Sequence, residues 1–237
     1  MRRVVAGHPK ALLGLERFER LTLDEVAGAV RVSWGWAPRS DAGEPVARID
    51  PDRTIEGMRA ARRRIAAVAR RGGRIAFATT RPASLLPLYQ RLARAAHAEG
   101  AEVLSATEAG PFRADGRSGR RLWWLDGVAV VTDGADLLGG HGLGAADELL
   151  FYLPRPDLVV ADRGFAGGSL RDGLETVALA DLNAAALGVA AGRGFLVTLV
   201  PLDDERPPAA YESLAEFGDA AAVDTATACV TGPVTAP

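Results

Sequence analysis

The chain has 237 residues, 48% of them hydrophobic, a net charge of −2 and a mean hydropathy of +0.06. This composition can bury a large core and excludes a disordered chain, and the charge gives no sign of nucleic-acid or anionic-membrane binding. The single cysteine, Cys229, excludes an intramolecular disulfide and a cysteine-based zinc cluster. No apolar run reaches the roughly 18 residues of a membrane-spanning helix, and the N-terminal run is interrupted at residues 7–10, so we expect a cytoplasmic protein.

Residues 1–49 have the weakest pattern, and we predict an irregular or helical segment packed on the core. Two tryptophans in this segment, Trp34 and Trp36, stand beside Gly, Pro and Asp. They can line a pocket or pack in the core, and core packing is favoured because tryptophan carries a large apolar surface.

The first clear element is a helix that starts near Asp50 or Asp52, either of which can be its N-cap, and stops at Gly72 and Gly73. Its apolar residues recur at helical spacing, and its many arginines lie mostly on the opposite face. Such a face can bind nucleic-acid phosphates, but a solvated face is the favoured interpretation.

Strands and helices then alternate. The pattern predicts strands at 74–80, 101–107, 157–162, 176–181 and 194–204, one or two strands within 122–134, and helices at 84–99 and 182–192. Residues 112–121 are predicted to be rich in turns, with a tight turn at Asp115-Gly116. Continuous aliphatic strands between helices predict an α/β fold: an open, mostly parallel, three-layer Rossmann-like sheet with helices on both faces. We expect one domain over 50–217, a disordered tail over 218–237, and a surface compatible with a homodimer.

Several apolar strands end on carboxylates, namely Asp133, Asp162, Asp181, and the pair Asp203 and Asp204. Open parallel sheets bind ligands at the carboxyl ends of their strands. Carboxylates there can hold Mg²⁺ or Mn²⁺ or serve as acids and bases. Alternatively, each Asp forms a turn or caps a helix.

Two loops at the same edge are candidates for anion and proton chemistry. Thr79, Thr80 and Arg81 stand between a strand and a helix start, where they can hold a phosphate or cap the helix. His141 lies in a glycine-rich loop where the backbone can approach a ligand. His97 lies on an alanine-rich helix and is expected at the surface.

Several familiar motifs are absent from the sequence. No GxGxxG follows a strand, since "GGHGLG" at 139–144 has the wrong spacing, and no nucleotide cofactor is expected. GxxxxGK[ST], GxSxG and DxDx[TV] are absent, and Lys10 is the sole lysine.

The C-terminal third resembles a bacterial family named simply "phosphatase". The family's segments "LVVADHGWAG", "YADCNDPAL" and "VPLDDH…Y" are similar to "LVVADRGFAG", "LADLNAAAL" and "VPLDDERPPAAY" here, in the same order. Its "ATGHPGGLL" and "HTHS" loops resemble "ATTRPASLL" and "GGHG". The likeness runs from about residue 49 to 217, and before it the chain matches chiefly at Trp34.

The resemblance implies a phosphatase site whose matching positions are Thr79, Pro82, His141, Asp162, Gly164, Ala166, Gly167, Asp181, Asn183, Asp203 and Asp204. This chain departs from the family where Arg81, Gly139 and Arg163 replace histidines and where Ala184 and Ala185 replace an Asp-Pro pair. Arginine binds phosphate bidentately but does not exchange protons near neutral pH. Compared with the family, this chain therefore keeps the anion-binding residues and lacks three histidines.

Two hypotheses follow. In the first, the chain is a phosphatase of a small phosphomonoester. It would use Asp162, His141 and Asp181 for catalysis, and Thr79, Thr80, Arg81, Arg163, Gly164 and Asn183 for substrate. A Mg²⁺ or Mn²⁺ ion would lie on Asp162, Asp181, Asp203 and Asp204. In the second, it is a non-catalytic relative that binds a phosphorylated metabolite or partner through its arginines. A dehydrogenase-like nucleotide binder is a weaker third reading. Proximity of Asp162 and Asp181 favours the first hypothesis, and separate helix caps favour the second.

Overall fold

The computed structural model describes residues 1–15, 18, 20–35 and 48–216. Trp36 and the proposed tail lie outside the described residues. In the described part, helices are α1 (Arg2–Val5), α2 (Pro9–Leu12), α3 (Leu23–Trp34), α4 (Pro51–Ala69), α5 (Pro82–Ala98), α6 (Ala145–Tyr152), α7 (Arg163–Arg171), α8 (Ala185–Gly192) and α9 (Glu212–Glu216). Strands are β1 (Arg74–Thr79), β2 (Glu102–Leu104), β3 (Glu108–Ala114), β4 (Arg117–Leu125), β5 (Val128–Thr132), β6 (Leu158–Asp162), β7 (Thr176–Ala180) and β8 (Val197–Pro201). Short 3₁₀ helices span Leu182–Ala184 and Pro208–Tyr211.

These eight strands form one mixed sheet in the order β3-β4-β5-β1-β6-β7-β8, and β2 pairs with the first half of β1. The strands β5, β1, β6, β7 and β8 run parallel, so their carboxyl ends share one edge of the sheet. β3, β4 and β5 are joined by antiparallel hairpins. The predicted α/β fold with a mostly parallel open sheet is confirmed.

Alternating side chains of the central strands explain why these strands are apolar throughout. Ile75 and Phe77 of β1 join the core beneath α4 and α5, whereas Ala76 and Ala78 join the core on the opposite face. A strand covered on both faces has no solvent side, so it cannot show a polar alternation.

The N-terminal helices pack on the second of these faces. Trp34 is fully buried, and its Nε1 donates to the Ala180 carbonyl oxygen at 3.0 Å, so the core interpretation of this tryptophan is confirmed. Its ring occupies the place that a side chain at Gly188 would need, 2.6 Å from a Cβ built there. The division at residue 49 stays a prediction, although α3 and α8 share this core.

The helix predicted from Asp50 is α4, and Asp50 is its cap, accepting from the Asp52 amide at 3.0 Å. The turn-rich prediction for 112–121 was wrong outside its centre. Asp115 and Gly116, both with positive φ, form the tight turn of a β3–β4 hairpin. β3 and the first part of β4 were missed because they are largely exposed and carry arginines, which removes the continuous apolar signal. The strands predicted within 122–134 correspond to the end of β4 and to β5. The strand predicted at 101–107 is confined to β2, and α6 and α7 were not predicted.

Candidate functional site

The carboxyl edge of the parallel strands collects three of the five predicted carboxylates. Asp162, Asp181 and Asp204 are buried, with exposed fractions of 0%, 7% and 0%. For Asp162 and Asp181, which precede helical turns, no side-chain capping hydrogen bond forms. The helix-cap interpretation therefore fails for these two residues.

A guanidinium lies among these carboxylates. Arg163 is 2% exposed, and its Nε and Nη2 donate to Oδ2 and Oδ1 of Asp204 at 2.9 and 3.1 Å. Nη2 also donates to Asp181 Oδ2 at 3.1 Å. The Arg163 backbone has φ +42°, a left-handed conformation that costs a non-glycine residue about 1–2 kcal/mol. This conformation persists where the surrounding contacts determine it.

Asp162 has a different set of partners from Asp181 and Asp204. Its Oδ1 accepts from the Thr80 amide at 2.8 Å and the Thr80 hydroxyl at 2.7 Å, and its Oδ2 accepts from the Thr79 hydroxyl. These bonds tie the end of β1 to the end of β6. Burial raises the pKa of Asp162, although the threonine hydrogen bonds act in the opposite direction. The predicted phosphate ligands Thr79 and Thr80 are thus buried, and their hydroxyl groups are bonded to a carboxylate.

The remaining two strand-end carboxylates form local turns. Asp133 is exposed and accepts from the amides of Ala135 and Asp136. Asp203 accepts from the Glu205 amide and pairs with Arg206. The turn interpretation holds for both, because their own backbones satisfy the side chains.

The predicted divalent metal does not fit this donor set. Both oxygens of Asp162 and of Asp204 already accept hydrogen bonds, and Asp203 lies apart with Arg206. Within the described ranges, no group of three or more His, Cys, Asp or Glu side chains is arranged to hold a metal ion. The guanidinium of Arg163 provides the cation of this cluster.

One carboxylate oxygen at this edge has no protein partner. Asp181 Oδ1 is buried and accepts no hydrogen bond from the described residues, whereas Oδ2 accepts from Arg163 and from Asn183 Nδ2 at 2.8 Å. Burial, followed by the charge of Asp204, raises the pKa of Asp181. A buried acceptor without a donor is costly and calls for a ligand or water.

Arg81 begins the loop after β1 and faces the same cluster. Its Nε is buried without a hydrogen bond, 3.5 Å from Asp204 Oδ2, and its Nη2 donates to Glu205 at 3.1 Å. Ser84, in the first turn of α5, donates to the Asp204 carbonyl oxygen at 2.6 Å and so holds that loop against the helix.

His141 lies beside this cluster on the loop between β5 and α6. Its carbonyl oxygen accepts from the Gly164 amide at 2.7 Å, and a Cβ at residue 164 would lie 2.2 Å from that oxygen. The backbone of Gly164, a predicted substrate-binding residue, is therefore in close contact with the His141 backbone. Nδ1 of His141 is buried and has no partner among the described residues.

The charges around His141 include two that the sequence did not indicate. Burial lowers the pKa of His141 below 6.5, and the cations Arg163, Lys10 and Arg81 lower it further, whereas Asp115 raises it. In the sequence, Lys10 is distinguished only as the sole lysine, and Asp115 only as a residue of a tight turn. Neither has a local sequence signal for this role, because the N-terminal segment and the β3–β4 hairpin meet the site only through tertiary packing.

The other predicted features are placed as follows. Asn183 is exposed at the rim, while His97 is exposed on α5, as predicted. Among the described residues, no helix is long and apolar enough to cross a membrane.

Comparison with known proteins gives two matches. The sequence profile of a family described as "Phosphatase" matches residues 1–223. "Phosphatase SCO2771" of Streptomyces coelicolor is 33% identical over 211 residues, which cover 86% of this chain and 78% of that protein. No solved structure matches. The family match starts at residue 1, so the likeness extends beyond the predicted start near residue 49. The chain belongs to the Phosphatase family.

Proposed function

We propose that the chain hydrolyses a small phosphomonoester at the carboxyl edge of β1, β6 and β7. The observation that carries this proposal is the surrounding of His141. Its imidazole has a buried, unpartnered Nδ1 and experiences three cations, Arg81, Arg163 and Lys10. One of these cations, Arg163, donates to the Asp181 carboxylate, whose Oδ1 is buried and unpartnered.

The phosphoryl group would bind at the arginines. Nη1 of Arg163 makes no hydrogen bond with the described residues, and Arg81 Nε is likewise free of a hydrogen bond. Charge-assisted bonds from guanidinium groups suit phosphate oxygens. In phosphoryl transfer, such fixed donors stabilise the charge that develops on the equatorial oxygens.

Proton transfer would fall to Asp181 and His141. Asp181 Oδ1 accepts a proton from the attacking water as its oxygen bonds to phosphorus. Protonated His141 gives a proton to the ester oxygen as the phosphorus–oxygen bond to the alcohol breaks. The pKa of Asp181 is raised, which makes its carboxylate a stronger base, and the pKa of His141 is lowered, which makes its imidazolium a stronger proton donor. No step uses a metal ion.

Asp162 would act as a positioning residue. Through Thr79 and Thr80 it holds the end of β1, from which Arg81 extends over the site. The Arg81 amide in turn donates to the Thr79 hydroxyl at 2.9 Å.

The test is phosphate release from a panel of phosphomonoesters by the wild type and by His141→Gln. Loss of an acid–base group typically lowers the rate about 100- to 10,000-fold. The matched control is His97→Gln, an exposed histidine on α5 outside the site, which should keep full activity. Equal rates for wild type and His141→Gln would contradict this role for His141.

A second candidate function is supported by the arginines that replace family histidines. Arg163 is bonded to two carboxylates and stays protonated near neutral pH, so it cannot act as an acid or a base there. A non-catalytic relative would bind phosphorylated compounds in calorimetry without releasing phosphate. Folded wild-type protein that binds but releases no phosphate from any substrate would establish this alternative.

A further inference from the structure

A small cavity of about 90 Å³ lies between the β3–β4 hairpin and the glycine-rich loop that contains His141. Its lining includes Thr80, Asp115, Arg117, Arg120, Gly140 and Gly142. It shares Thr80 with the site already described, and His141 stands in the chain between two of its lining residues. The cavity is therefore next to the proposed phosphate position.

The β3–β4 hairpin and the glycine-rich loop are in close backbone contact around this cavity. A Cβ at Gly140 would lie 2.5 Å from Asp115 Oδ2, and a Cβ at Gly144 would lie 2.4 Å from the Arg113 carbonyl oxygen. The Asp115 amide donates to the Leu143 carbonyl oxygen at 3.1 Å. Side chains at the two glycines would push the hairpin away, so the loop composition preserves the cavity.

The polar groups of the cavity lack protein partners that would neutralise them fully. Arg117 is exposed, and its side chain makes no ion pair or hydrogen bond within the described part of the chain. Arg120 has a side chain only 14% exposed, with a single 3.4 Å contact to Asp133. Asp115 Oδ1 is buried and unpartnered. Two guanidinium donors and one carboxylate acceptor thus face the same small volume.

The size and chemistry of the cavity select a ligand class. Water occupies about 30 Å³ per molecule in the liquid, so the cavity of about 90 Å³ holds only the end of a ligand, roughly a carboxylate and the carbon that bears it. A nucleoside or a sugar ring is too large. A carboxylate suits the two arginines, and a hydroxyl donor suits Asp115 Oδ1.

We propose that this cavity binds the carboxylate end of the substrate's leaving group, and that the substrate is a phosphorylated short-chain hydroxy acid. The inference rests on the proposed function. The carboxylate binds Arg117 and Arg120, a free hydroxyl donates to Asp115, and the ester oxygen lies at His141. Water adds to phosphorus, the ester bond breaks, and the products are inorganic phosphate and the hydroxy acid.

The experiment compares 3-phosphoglycerate with glycerol 3-phosphate, which have the same chain length and differ in a carboxylate. We expect kcat/KM to be at least tenfold higher for 3-phosphoglycerate. Arg117→Gln should bring the ratio of the two values close to one. The matched control is Arg113→Gln, an exposed arginine of the same hairpin outside the cavity lining, which should keep the wild-type ratio.

The outcomes separate the two proposals. If the wild type hydrolyses both compounds with equal kcat/KM, the subsite is overturned and the phosphatase function stands. If no phosphomonoester is hydrolysed, the proposed function fails and calorimetric dissociation constants of the same two compounds decide the subsite. Tighter binding of 3-phosphoglycerate that Arg117→Gln removes supports it, whereas equal binding overturns it.

Discussion

Arg163→Gln tests the ion cluster formed by Arg163, Asp181 and Asp204. The substitution removes the guanidinium and keeps a side chain with a Cβ on the left-handed backbone. Asp204 is 0% exposed and loses both of its Arg163 hydrogen bonds, and Asp181 loses one. Removing one partner of a buried ion pair costs about 3–5 kcal/mol. For a chain of this size that is roughly 6–20 °C in Tm, at about 2–4 °C per kcal/mol.

The assay is urea unfolding of wild type, Arg163→Gln, Asp204→Asn and the double variant at pH 7.5. The double variant should be more stable than the sum of the single effects predicts, with a coupling of about 1–3 kcal/mol. Arg63→Gln, on the exposed face of α4, is the control and should change stability by less than about 0.5 kcal/mol.

Lower pH should reduce the loss of folding stability that Arg163→Gln causes. The pKa of Asp181 is already raised by burial, and the charge of Arg163 acts in the opposite direction, so removing the guanidinium raises the folded-state pKa of Asp181 further above its value in the unfolded chain. Carboxyl groups with raised folded pKa values stabilise the folded state less as the pH rises, and the loss should therefore be smaller at pH 5 than at pH 7.5. A loss below about 1 kcal/mol at pH 7.5, or strictly additive effects in the double variant, would refute the reasoning.

Further predictions concern the acid–base groups and the loop. The plot of kcat/KM against pH should be bell-shaped. It should rise as Asp181 loses its proton, with a pKa above 3.8, and fall as His141 loses its proton, with a pKa below 6.5. A profile that is flat between pH 4 and 8 would contradict this assignment. In NMR titrations, Asp115→Asn should lower the pKa of His141 further, since Asp115 raises it; an unchanged or raised value would show that the two are not coupled. Gly164→Ala should displace the His141 loop and lower kcat at least tenfold, because the new Cβ would lie 2.2 Å from a backbone oxygen. Gly28→Ala is its control: it meets nothing within 4 Å on α3 and should stabilise the protein by about 0.5–1 kcal/mol with kcat unchanged. A chelator should leave the rate of phosphate release unchanged. If the chelator abolished phosphate release and added Mg²⁺ or Mn²⁺ restored it, the carboxylate donors would have to rearrange around a metal ion.

The parallel part of the fold could be predicted because its signals are local. Aliphatic strands of five or six residues, marked helix ends and a capping Asp50 each follow from neighbouring residues alone. In the β3–β4 hairpin, the turn and the apolar end of β4 were predicted, whereas β3 and the first part of β4 were not. Its side chains meet solvent on much of their surface, so the hydrophobic pattern that marks the other strands is absent.

The candidate site could be predicted only as a set of residues. Asp133 and Asp162 follow apolar strands in the same way, yet Asp133 bonds its own turn and Asp162 bonds Thr79 and Thr80 across the sheet. Arg163 was predicted as a phosphate ligand, and most of its donors bind carboxylates instead. The direction of a side chain at a strand end depends on backbone conformation and distant partners, which sequence neighbours do not determine.

The sequence by itself determined the fold class, the shared edge of the parallel strands and the kinds of charged groups found there, because hydrophobic periodicity and strand direction place those residues. Only the tertiary structure decided which charges pair, that Arg163 lies among Asp162, Asp181 and Asp204, and that Lys10 and Asp115 act on His141. Those contacts join segments that are far apart in the chain, and the free energy of burying a charge depends on the partner that packing brings to it.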